Sequence, residues 1–371
     1  MGITENRLNF KPFEYQWAYD YWFKQQNAHW LHTEINMQSD IYDWNYNLSN
    51  QEKNVIGDIL KGFTQTETEV GSFWSEMIPK WFPIPEIKMM GQVFGSFETI
   101  HAVAYSYLND ILGLDDFHAF LEDEAIMNKL KALMDIRKSN HEIYTKEEIA
   151  KSIALFSAAA EGIQLFSSFA VLLSFRKSNR LKGIGQQIIF SVRDESLHSE
   201  SGCKIFRVFC DENKGLKESV KDSIYEGIDL ALKNEFHFID QIFGEGDLST
   251  IKKEDLKNFM KDRANLKLKE LNLNSSYYID KNMLSNMDWF YITISGEQQT
   301  DFFDNRETGY SKPNKDWNDD LFVTSDSVAE NLHKKSNLKL ESKESEKKIL
   351  KILLKNKKEN LGGTECISCE S

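Results

Sequence analysis

Two Glu-x-x-His tetrads constrain this 371-residue chain more than any other feature: Glu98-Thr99-Ile100-His101 and Glu195-Ser196-Leu197-His198. Residues i and i+3 of a helix share a face, so each tetrad aims one carboxylate and one imidazole the same way. A lone tetrad is common on solvated helices, and only its surroundings give it meaning. Glu98 shares its face with Phe94, Gly95, Ala102, Tyr105 and Leu108; Glu195 shares its face with Ile188, Val192, Ser199 and Gly202. Both faces are apolar or small. An ionised carboxylate there is costly unless it is paired or bound to metal.

Two further acids lie one helix upstream of the tetrads. Glu161 sits among Ser157, Ala158, Leu165, Ser168 and Phe169. In Thr66-Glu67-Thr68-Glu69, Glu67 shares its face with Phe63, Val70, Gly71, Trp74 and Ile78, whereas Glu69 lies with Gln65, Ser72, Glu76 and Lys80. Glu67 is therefore expected to point inward and Glu69 outward. Glu67 precedes Glu98 by 31 residues, and Glu161 precedes Glu195 by 34. The order carboxylate, helix, Glu-x-x-His thus occurs twice. Four helices of one bundle can bring Glu67, Glu98, His101, Glu161, Glu195 and His198 to one point, the ligand set of a ferritin-like dinuclear carboxylate site. Hard carboxylate oxygens with imidazole suit iron or manganese.

The rest of the chain agrees with an all-α bundle. Apolar residues recur at three and four over roughly 49–78, 86–112, 146–176, 180–209 and 215–244, with stops expected at Gly113, Asn179 and Gly244. The apolar stretch 153–175 is interrupted by Glu161 and Gln164. It reads as a buried helix carrying a functional carboxylate rather than a membrane span. With Lys+Arg 45 against Asp+Glu 58, the net charge of −13 argues against a nucleic-acid-binding surface. Four cysteines make no disulfide scaffold and fit a reducing, cytoplasmic setting. Cys203 and Cys210 lie seven residues apart on one helix, too far to bridge, and are expected to be core. From Val323 onward aromatic residues vanish, and segment 333–361 holds ten Lys and four Glu. The expected organisation is a helical body over 1–304, a tail at 305–322, and a flexible Lys-rich extension at 323–371 ending in Cys-x-x-Cys.

Glu98-x-x-His101-x-x-x-Tyr105 resembles the small, radical-generating subunit of class I ribonucleotide reductase, and the resemblance covers roughly 10–322. Further matching stretches are Arg193 to His198, Trp30 within His29-Trp30-Leu31-His32-Thr33-Glu34, and Phe302 to Tyr310. The resemblance implies that the six ligands hold the metals, that reduced metal reacts with dioxygen, and that Tyr105 stores the resulting radical. It also implies a relay to the large subunit through His101, Asp194, Trp30 and Tyr310, for reduction of ribonucleotides to deoxyribonucleotides. Core packing is the other role open to Trp30. The family further implies a homodimer, while the acidic balance and the interrupted apolar stretch lead to the expectation of no nucleic-acid and no membrane partner.

One departure concerns the metals. Most members have Asp as the first carboxylate, whereas this chain has Glu67. Members with Glu there often lack the radical Tyr and use a manganese–iron pair. Two iron ions with Tyr105 are expected, and manganese–iron or dimanganese stays open. At the other end, Asp316-Trp317-Asn318-Asp319-Asp320-Leu321-Phe322 has the form of a large-subunit anchor. Glu365-Cys366-Ile367-Ser368-Cys369 resembles the swinging dithiol at the end of the large subunit, a substrate for thioredoxin or glutaredoxin. A stray exposed pair or a weak metal-binding end is the alternative. A ligand-binding oxidase of similar fold and a ferritin-like ferroxidase are the other functions compatible with the bundle. The oxidase has no need for a tail with Tyr310 and an acidic aromatic anchor, and the ferroxidase would need a cage-forming assembly and no Trp30–Asp194 relay.

Overall fold

The computed structural model describes residues 2–114, 144–244 and 246–294. All of them fall in one compact unit. Tyr310, Cys366, Cys369, the acidic segment 316–322 and the tail divisions at 305–322 and 323–371 lie outside the described residues.

Among the described residues every regular element is helical. Helix α1 is Gln16–Asn27 and α2 is Gln38–Tyr46. Helix α3, Asn50–Ser72, starts at a capping box. Ser49 accepts from the Glu52 N–H, and Glu52 accepts in return from the Ser49 N–H. It continues through a π-helical turn, Phe73–Met77, into the short α4, Ile78–Trp81. Helix α5, Pro85–Leu112, opens on proline and stops at Gly113, whose φ of 69° suits a residue without a side chain. A second capping box, Thr145 with Glu148, starts α6, Lys146–Leu155. That helix widens into a nine-residue π segment, Phe156–Gln164, and returns to α geometry as α7, Phe166–Ser174. Helices α8 (Lys182–Glu212), α9 (Leu216–Phe243), α10 (Lys253–Glu270) and α11 (Lys281–Ser285) complete the body.

The long helices stand where the apolar periodicity put them, and Asn179 and Gly244 end their elements with positive φ. The π segment is the difference. Residues 156–164 are buried on every side, so there is no polar face whose drift would register the wider turns. The apolar run Lys146–Ser178 is long enough to cross a membrane but lies buried inside the bundle.

Two close approaches bring the central helices together. At Gly95 of α5 an added Cβ would stand 2.9 Å from Ser75 Cβ and 3.0 Å from the Gly71 carbonyl. At Gly202 of α8 it would stand 1.8 Å from Ser157 Oγ on the π segment. Glycine at these points lets α5 lie against α3, and α8 against the π segment. The buried Asp40 and Asp43 side chains fix the start of α8. Asp40 accepts from the Gly183 and Ile184 N–H groups and Asp43 from the Leu181 N–H. Cys203 and Cys210 are buried and unbridged, and burial pushes the Cys203 thiol up to about 12. Neither is a nucleophile at neutral pH.

Candidate metal centre

The four central elements converge on one point. Glu67 comes from α3, Glu98 and His101 from α5, Glu161 from the π segment, and Glu195 and His198 from α8. All six are at most 1% exposed. They form two overlapping groups whose candidate ligand atoms lie within 4.8 Å of one another. One group is Glu67, Glu98, His101 and Glu195; the other is Glu98, Glu161, Glu195 and His198. Glu98 and Glu195 belong to both groups. Two overlapping groups that share Glu98 and Glu195 could hold a pair of metal ions, with those two carboxylates available to both.

The imidazoles are oriented alike. His101 turns Nδ1 toward Glu98 Oε2 and Glu195 Oε1, each at 3.0 Å. Its Nε2 faces Asp194 Oδ2 at 3.2 Å. His198 turns Nδ1 toward Glu98 Oε1 at 2.7 Å, and its Nε2 faces Gln25 Oε1 at 3.1 Å. The outer acceptors hold a proton on Nε2 in both rings, so each Nδ1 is turned to the centre and can ligate once its own proton is displaced. Asp194 and Gln25 are themselves joined, Gln25 Nε2 donating to Asp194 Oδ1 at 3.1 Å. The Trp30 indole donates to Asp194 Oδ2 at 2.8 Å, and its ring lies 5.9 Å from that of His101, nearly parallel. His101, Asp194 and Trp30 thus form one contiguous chain leading away from the cluster. Arg193 reaches Asp194 Oδ1 at 3.2 Å and the Ala28 carbonyl at 2.7 Å.

Electrostatics show how poorly this cluster satisfies itself. Both oxygens of Glu67 and Glu195, Oε1 of Glu98, Oε2 of Glu161 and Nδ1 of His198 lack a hydrogen bond of regular geometry. Burial, then the charges of Glu195 and Glu98, holds the Glu67 carboxyl well above its ordinary range. Burial raises Glu161 in the same way, with Glu195 and Glu98 adding to it against His198. Burial opposes charge on Glu98 too, but His198 and His101 outweigh it and hold that carboxyl low. Around His101, burial is overcome by Asp194, Glu195 and Glu98; around His198, by Glu98 and Glu195. Both imidazoles therefore stay protonated well above their ordinary value. Orphaned carboxylate oxygens and inward-turned imidazole nitrogens in a dry core fit a pair of divalent cations. The metal-free protein holds protons on Glu67, Glu161, His101 and His198 that metal must displace. Loading is therefore expected to release protons and to tighten as pH rises. Calorimetry in buffers of different ionisation enthalpy measures that release; proton-neutral loading would contradict it.

Tyr105 lies one turn past His101, with ring centroids 6.4 Å apart. It is fully buried, against Phe63 at 4.8 Å. Its hydroxyl has no hydrogen bond of regular geometry, with Ser191 the polar side chain at hand. Burial, then the charge of Glu67, raises its phenol well above the ordinary value. The inward reading of Glu67 matches its burial, while Glu69 is half-buried. Two residues escaped the sequence reading. Gln25 follows Ala18 and Tyr21 on the buried stripe of α1, and an amide in such a stripe was the available signal. Trp74 donates its indole N–H to Glu161 Oε1, a partner that its place on the Glu67 face of the helix does not reveal.

Over residues 7–283 the sequence matches the family described as ribonucleotide reductase, small chain. It is similar to a probable ribonucleoside-diphosphate reductase small subunit of Invertebrate iridescent virus 3, 34% identical over 84% of this chain and 86% of that one. It is also similar to the ribonucleoside-diphosphate reductase subunit beta of Chlamydia pneumoniae, 26% identical over 81% of this chain and 88% of the other. Its fold is shared with the dimanganese(II)-NrdF of Streptococcus sanguinis, with TM-score 0.66 and 21% identity over 76% of this chain and 99% of that one. A ribonucleotide reductase R2 subunit from Clostridium botulinum shares it too, with TM-score 0.71 and 20% identity over 77% and 92% of the two chains.

Proposed function

The chain belongs to the ribonucleotide reductase small-chain family, and on that premise we propose that it is the small subunit of a ribonucleoside-diphosphate reductase that stores an oxidising equivalent for a large-subunit partner. The observation carrying this reading is Tyr105, buried and one turn from His101 beside a six-ligand cluster. Glu67, Glu98, His101, Glu161, Glu195 and His198 would hold the metals, with Glu98 and Glu195 shared. A bound pair, two iron ions in our reading with manganese–iron or dimanganese as alternatives, would supply oxidising power drawn from dioxygen. Tyr105 gives up one electron and its hydroxyl proton, and its dry surroundings keep water from the resulting phenoxyl. Asp194 accepts from both His101 and Trp30, so it fixes the imidazole and leaves the indole poised to pass an electron. Tyr310 is the next stepping stone, toward a large subunit bound by 316–322.

The test is Tyr105→Phe reconstituted with iron. It is expected to bind metal normally, lose the tyrosyl signal in electron paramagnetic resonance, and lose turnover with the large subunit. Full turnover would refute the assignment and favour storage on the metals. Metal analysis of the same samples identifies the pair. The subunit is placed as a cytoplasmic homodimer, to be checked by cell fractionation and solution mass measurement. The terminal Cys366 and Cys369 are proposed as a dithiol exchanging with thioredoxin or glutaredoxin. The Cys366→Ser/Cys369→Ser variant is then expected to lose turnover with thioredoxin as reductant, and undiminished turnover would remove that role.

A further inference from the structure

We propose that the crevice between α3, the π segment and α9 is the access route and waiting site for dioxygen, a reading that rests on the oxygen-using function above. Six ligands at most 1% exposed leave no direct path from solvent to the cluster. The crevice lies against two of the elements that carry ligands, α3 and the π segment. It holds about 30 Å³, with Gly62 and Thr66 half-buried at its mouth and Phe63, Val70, Ala160 and Leu165 buried along its walls. A water-sized occupant needs only ~10–15 Å³ of such space, so one diatomic molecule fits.

Three observations connect this space to the chemistry. Its walls carry the immediate chain neighbours of two ligands, Thr66 beside Glu67 and Ala160 beside Glu161. Phe63 forms one wall, and its ring stands 4.8 Å from that of Tyr105. Gln164 also lines the crevice. It is 4% exposed, and its Nε2 lacks a hydrogen-bond partner. Apolar walls favour an uncharged, weakly hydrated gas over water, as in other apolar protein cavities that stay dry and take up xenon. With Thr66 and Ser168 the other polar side chains of a mainly apolar lining, the unpaired Gln164 amide gives an arriving oxygen molecule a polar contact.

Crystals of the full chain pressurised with xenon should show the gas among Phe63, Val70, Ala160 and Leu165. In Gly62→Leu, with bulk added at the mouth, xenon should be excluded. Dioxygen-dependent oxidation of the ferrous-loaded protein should then fall about tenfold or more, as expected when access becomes limiting. Anaerobic ferrous binding should be unchanged, because Gly62 supplies no ligand and precedes Glu67 by five residues, more than one helical turn. Xenon settling elsewhere, or Gly62→Leu oxidising at the wild-type rate, would overturn the site alone. A wild-type protein that consumes no dioxygen when ferrous-loaded would overturn the function proposed above and this site with it.

Discussion

Replacing Glu98 by alanine is expected to empty both metal positions at once. Glu98 is one of two carboxylates common to both ligand groups, and it stands close to both imidazoles, 3.0 Å from His101 and 2.7 Å from His198, where Glu195 stands 3.0 and 3.7 Å away. Its loss should weaken metal binding beyond the roughly 10–100-fold typical of losing an outer hydrogen-bond partner. Metal bound per chain, measured by elemental analysis after desalting, should fall from two toward none. The metal-free protein should respond in the opposite sense to a change at Glu67. Glu67 is held protonated by burial and by its acidic neighbours, so Glu67→Gln removes the cost of holding that proton at neutral pH without leaving a cavity. The metal-free melting temperature should rise in Glu67→Gln, although its metal affinity drops. Function and stability then pull apart, as they do where a strained site is kept for its chemistry. A Glu98→Ala protein that retains two metals per chain would show that Glu98 does not bridge them.

Asp194→Asn is expected to have the second largest effect. Asp194 is 1% exposed, so the amide occupies the same space and the fold should hold. The carboxylate accepts from His101 Nε2 and Trp30 Nε1 through one oxygen, and from Gln25 through the other. Arg193, His101 and Trp30 keep it ionised against the penalty of burial. An asparagine has only one oxygen to offer, so a donor must face an N–H. The misfit releases the tautomer of His101, or else the indole. Metal affinity should drop by about 10–100-fold. Turnover with the large subunit should fall further, by as much as ~10⁴-fold if the tautomer matters as it does in a catalytic triad. A radical on Tyr105 should still form in whatever fraction loads metal. An Asp194→Asn protein with normal turnover would remove Asp194 and Trp30 from the relay and leave Trp30 as core packing.

Much of the site is legible in the chain because its grammar is local. The Glu-x-x-His spacing decides that a carboxylate and an imidazole share a face, and the residues three and four away decide that the face is apolar. The same rule separates Glu67 from Glu69 two positions on. It also marks the long helices and their ends at Gly113, Asn179 and Gly244. None of this needs knowledge of which helix packs on which.

Tertiary structure decided what depends on distances between helices. Periodicity says which way Glu98 and Glu195 point, but not that both fall in each ligand group. It does not say that Nδ1 rather than Nε2 of each histidine faces the centre. That is set by Asp194 and Gln25, the latter 173 residues from the imidazole it backs. Trp74 likewise meets Glu161 across 87 residues. The π geometry of Phe156–Gln164 stayed hidden because a segment buried all round has no polar stripe to betray its pitch. The crevice beside it exists only as space left between three elements. Local spacing determined which side chains could carry the chemistry. Packing alone determined which atoms meet, because side-chain pairing across a core is not encoded in any one helix.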